Sequence, residues 1–152
     1  MDRDQLVRWW DEAFSEGVWW APWRLALEGL TAEEAAWQPA AERHSIWQLV
    51  NHLIFWHDYF AHRIEEGQPF AEQEVARLNW KPVPDPTEAF WSATRERFAE
   101  SHARVRALLA DPRTPPPPTS QLDLRYLLFH DSYHIGQVMY VGAVLGKQAL
   151  EA

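Results

Sequence analysis

His130 and His134 stand four residues apart in the stretch His130-Asp131-Ser132-Tyr133-His134-Ile135-Gly136-Gln137. On an α-helix that spacing turns both imidazoles to one side, one turn apart, close enough to share a metal ion. The chain has no cysteine, so an ion would be held by nitrogen and oxygen ligands, and no protein thiol can serve as nucleophile. Neutral imidazoles leave a divalent ion its full charge and a position for water, which the ion can acidify for attack on an ester or amide. The same ion can instead lower the pKa of an incoming thiol. Either chemistry needs a proton-transfer group, and the candidates are His57, Asp58, His102 and Asp131. The plain alternative is a pair of core histidines. Two neutral imidazoles packed together waste donors and acceptors unless a ligand organises them, which brings metal binding level with the plain core reading.

Several helices must position that pair. The 152 residues suit one domain, 1–152, with a core of its own. Ten tryptophans predict a core of large rings whose N–H groups need partners. Fourteen basic against twenty-two acidic residues leave a net charge of -8, which argues against a nonspecific nucleic-acid or anionic-membrane binder. The amino terminus is charged, and no stretch approaches membrane-spanning length without charge. A cytoplasmic protein is expected.

Leu6, Trp9, Trp10, Ala13, Phe14 and Val18 recur at helical intervals from Asp4, with Gly17 and Pro22 predicting a bend or restart before Gly29. Thr31 to Glu34 forms a capping-box-like turn. Ser45 with Gln48 is a stronger start signal, opening a helix that carries Leu49, Leu53, Trp56 and Phe60 to about Glu66, before Gly67 and Pro69. Residues 70–83 read as a long connection with some local helix. Asp85 as cap and Pro86 in the first turn predict a third helix to about Ala110. Pro115 to Pro118 read as a stiff polyproline loop, and Ser120 with Asp123 opens the last helix, which runs to about Gly146. No segment alternates with period two. The sum is all-α, a four-helix bundle with a long crossover connection.

At about 100° per residue, His130 and His134 fall with Leu127, Val138, Val141 and Leu145 on the bundle-facing side. Asp131 points away, towards the surface or a neighbouring helix. A third ligand can come from His44, His52, His57, His62 or His102. His44 and His62 read as solvated, and His102 flanks its helix stripe. His52 and His57 flank the stripe of their helix on opposite sides, with periodicity leaning to His57 as the more buried. Spacing does not decide between them.

Three segments together resemble the DinB/YfiT-like superfamily: 30–39 (LTAEEAAWQP), 44–53 (HSIWQLVNHL) and 130–137 (HDSYHIGQ). The resemblance spans nearly the whole chain. Its most specific element is Ser-x6-His followed at the far end by His-x3-His-x2-Gln. It implies a four-helix bundle in which His52, His130 and His134 bind a divalent metal, zinc, nickel or iron. His57 then becomes a core residue or one supporting the ligands, and Gln137 orients a ligand or contacts substrate. Gly136 would let another helix approach closely, and Tyr133 and Trp47 line the approach or the core. The resemblance further implies a metal-dependent hydrolase or thiol S-transferase acting on a small molecule, with a low-molecular-weight thiol as possible co-substrate. It also implies a homodimer, for which Trp9, Trp10, Trp19, Trp20 and Trp23 would serve as interface or as core. A non-catalytic metal-binding stress-response protein or small-ligand binding module is the alternative.

Overall fold

The computed structural model describes residues 3–17, 19–83, 85–114 and 124–147. Among them are seven α-helices, one π-helical turn and no strand. The fold is all-α, as the periodicity predicts.

The first amphipathic segment is not one helix. Helix α1 (Arg3–Asp11) buries Leu6 and Trp10, runs straight into a π-helical turn over Glu12–Glu16, and stops at Gly17. Gly17 has a φ of 76°, and a Cβ there would come within 2.9 Å of the Pro22 ring, so glycine is what lets the chain turn. Pro22 then caps a short α2 (Trp23–Ala26), which is the restart that proline predicts. The crowded tryptophans divide. Trp10 and Trp23 are buried in the core, whereas Trp9, Trp19 and Trp20 are exposed.

Local chemistry fixes the next starts. Thr31 caps α3 (Ala32–Ala36) and Ser45 caps α4 (Ile46–Glu66), each through a complete capping box with Glu34 and Gln48. Gly67, in the left-handed region with φ 70°, ends α4. The long connection contains α5 (Glu72–Leu78), which buries none of its residues. Helix α6 (Glu88–Ala110) starts from Thr87, whose hydroxyl accepts from Phe90 N–H. The cap is thus two residues later than Asp85, because the hydroxyl at 87 reaches the free amide of the first turn. Helix α7 (Leu124–Val144) completes the set. The predicted polyproline loop and the Ser120–Asp123 start lie outside the described residues.

Helix α4 is central, packed along α6 and against α7, while α1 lies on α6 and α2 on α7. Two apolar clusters form. One holds Trp23, Trp47, Leu53, Trp91, Phe98 and Ile135, the other Leu6, Trp10, Phe60, Val105 and Leu127. Each large side chain so buried contributes about 1.5–3 kcal/mol. Three of the ring N–H groups find acceptors, Trp10 at His102 O (3.1 Å), Trp47 at Thr94 Oγ1 (2.9 Å) and Trp91 at Leu30 O (2.9 Å), whereas Trp56 Nε1 is buried without one. Along α4, α6 and α7 the two clusters are separated by a polar layer of buried His52, His57, Ser101, His102, Asp131 and His134. No described helix is long and apolar enough to cross a membrane.

Candidate metal centre

The polar layer contains two histidine groups with opposite hydrogen-bonding character. In the first, His52 of α4 meets His130 and His134 of α7. His52 Nε2 lies 3.0 Å from His130 Nε2, and His134 Nε2 lies 3.1 Å from the same atom. A neutral imidazole has one N–H, so His130 Nε2 can donate to at most one of its two neighbours. Nitrogens crowded this way suit a shared cation. Ligands about 2.0–2.1 Å from a tetrahedral zinc stand roughly 3.3 Å apart, close to the spacing present. His52, His130 and His134 could hold a metal ion.

Of the remaining ring nitrogens, His134 Nδ1 has a hydrogen-bonded oxygen, whereas His52 Nδ1 and His130 Nδ1 are buried without a hydrogen-bond partner. His134 Nδ1 donates to Gln137 Oε1 at 2.6 Å, and Gln137 Nε2 donates to the Tyr133 hydroxyl at 3.1 Å. Gln137 therefore fixes the His134 tautomer with Nε2 free, the usual job of a group behind a metal-binding histidine. Asn79, beyond α5, acts on His52 through both its side chain and its backbone. His130 Nδ1 has Asp131 Oδ1 at 3.6 Å.

Electrostatics keep these rings in ligand form. Burial, and then the neighbouring His134 and His130, push His52 down to about 3. Burial followed by His130 pushes His134 down to about 4. Neutral imidazole is the form that binds metal. Trp80 stacks over His52 with ring centres 3.8 Å apart, and His44 stacks on the other face of Trp80 at 3.7 Å.

The second group points its nitrogens at acceptors. His57 is fully buried, with Nδ1 3.0 Å from Ser101 Oγ and Nε2 2.8 Å from Asp131 Oδ2. His102 Nε2 donates to Trp10 O at 3.2 Å, while Trp10 returns its own N–H to His102 O. Burial, followed by His57, pushes His102 down to about 4. His57 is the more buried histidine, as periodicity suggests, yet it stands outside the converging nitrogens.

Asp131 is not a surface residue. It is 3% exposed and bridges helices α7 and α4. Burial acts to raise its carboxyl, but His57 and His130 beside it hold it below the ordinary value. Of the two directions its position on the helix allows, the structure takes the neighbouring helix: Asp131 is buried with Leu128 and Ile135 and meets His57 of α4. Asp58 pairs with Arg97 at 2.6 Å and Arg104 at 3.5 Å. His62 is half-buried against Phe70.

Beside the first group lies a cleft of about 640 Å³ whose walls include Pro39, His44, Tyr133, Gln137 and Tyr140. Gly136 belongs to that wall, and no other helix packs closely on it: a Cβ there would meet nothing within 4 Å. Trp47 is a core residue against Trp91 and lies away from the cleft. A cavity of about 480 Å³ between α4 and α6 has none of the histidines in its lining. Asn79, Trp80 and Ser101 carry no sequence signal that would have marked them. They reach the two histidine groups from other elements, and the fold alone brings them there.

Helical architecture with three imidazoles from two helices defines an all-α protein with a candidate nitrogen-ligand metal centre. The DinB superfamily model matches residues 19–138, so the chain belongs to that superfamily. The match takes in both histidine groups and leaves α1 outside. No curated protein and no solved structure is significantly similar to the chain.

Proposed function

We propose that this chain is a divalent-metal-dependent enzyme acting on a small molecule by hydrolysis or thiol S-transfer, with His52, His130 and His134 as ligands. The observation that carries the reading is the approach of three Nε2 atoms, at 3.0 and 3.1 Å about His130. A divalent ion such as zinc, nickel or iron would supply Lewis acidity there. The chain's own residues do the positioning. Gln137 holds the His134 proton on Nδ1, and Trp80 shields one face of His52. The neighbouring cleft, at about 640 Å³, is within the usual range for small-molecule sites. A substrate there would lie against Tyr133, whose hydroxyl already accepts from Gln137.

The test is turnover of ester substrates, and of an electrophile with a low-molecular-weight thiol, by metal-loaded protein without a polyhistidine tag. Turnover that falls to background in His130→Ala supports the reading; an undiminished rate contradicts it. A non-catalytic metal-holding or ligand-binding protein is the second reading, favoured by one observation. The four candidate proton-transfer groups, His57, Asp58, His102 and Asp131, are all engaged by partners inside the protein. Metal binding with no turnover of either substrate class would select it.

A further inference from the structure

Resting on the metal assignment above, we propose that Asp131 is a positioning carboxylate for that site, held by His57 and Ser101 and fixing His130 with its proton on Nδ1. Ser101 Oγ stands 3.0 Å from His57 Nδ1 and is itself anchored to Phe98 O at 2.8 Å. On its other side His57 donates Nε2–H to Asp131 Oδ2 at 2.8 Å. One carboxylate oxygen is thereby committed and the side chain is clamped between α4 and α7.

The other oxygen, Oδ1, is buried without a hydrogen-bond partner, and so is His130 Nδ1. These two orphans lie 3.6 Å apart. That separation is beyond a hydrogen bond, but one is a carboxylate oxygen and the other a ring nitrogen that can carry a proton. A small rotation of the His130 ring joins them, satisfies both, and leaves Nε2 as a lone pair towards His52 and His134. A carboxylate behind a metal-binding histidine fixes tautomer and orientation in this way. Gln137 does the same for His134.

The rival account is a structural ion pair, in which Asp131 serves His57 alone and has no bearing on the metal. Asp131→Asn separates the two because it preserves the shape. His57 would keep the amide oxygen, so the amide NH2 would face His130 Nδ1 and drive its proton to Nε2, the wrong nitrogen for a ligand. The expected result for folded Asp131→Asn, by chelator competition, is zinc affinity weakened about 10- to 100-fold. Nitrogen-15 NMR of the metal-free native protein should place the His130 proton on Nδ1, and in the variant should move it. An unchanged zinc Kd, or an unmoved His130 tautomer, overturns the proposal. Should Asp131→Asn not fold, Asp131→Ala is read in the same two ways. A native protein that binds no zinc overturns the metal assignment instead, and the NMR comparison then decides on its own whether Asp131 governs His130.

Discussion

His52 and His57 lie on the same helix, five residues apart, and both are buried, His57 more completely. One meets two other imidazole nitrogens; the other meets a hydroxyl and a carboxylate. Burial alone would favour His57 as the candidate ligand. What separates them is what faces the ring: nitrogens that cannot all be satisfied by each other ask for a cation, whereas acceptors ask for a proton.

Breaking the second group should cost folding stability without touching the metal directly. His57→Ala leaves Asp131 buried without its partner, so unfolding in urea should show a loss of about 3–5 kcal/mol. The first group should behave oppositely. Stripping metal from the native protein with a chelator should remove roughly 4 kcal/mol of stability relative to protein with free ion a thousandfold above Kd. The same treatment of His134→Ala should change little.

Acid should weaken both groups, since His52, His134 and His102 are all held below the ordinary value. His102 is held down to about 4 against an ordinary value near 6.5, so the unfolded chain takes up a proton first. Its contribution is fully present above pH 6.5 and is lost as pH falls towards 4, amounting to roughly 3 kcal/mol. Stability measured across that window should decline with falling pH, and less steeply in His102→Gln. The smallest effect concerns orientation. Gln137→Ala removes the oxygen that fixes His134 and should weaken zinc binding about tenfold, with stability of the metal-free protein nearly unchanged.

Features set by neighbouring residues were legible in the sequence. The Ser45–Gln48 capping box, the Gly67 stop and the His130–His134 pair each depend on spacings of four residues or fewer. The periodicity of α4 showed both His52 and His57 beside the stripe, but not what lies opposite them. That depends on α7, some 70 residues away, and only the resemblance singled out His52. For Asp131 the helix wheel left surface and neighbouring helix both open, and only the position of His57 on α4 decides for the helix. Trp80 and Asn79 reach His52 from a connection with no periodicity to betray them. The Thr87 cap was obscured by Asp85, a plausible cap two residues before it.

The most direct test is the metal content of tag-free protein purified in parallel as native chain, His52→Ala and His57→Gln. One divalent ion per chain is expected in the native protein, one in folded His57→Gln and none in His52→Ala. An ion retained by His52→Ala, or no ion in folded His57→Gln, would contradict the assignment of the two histidine groups.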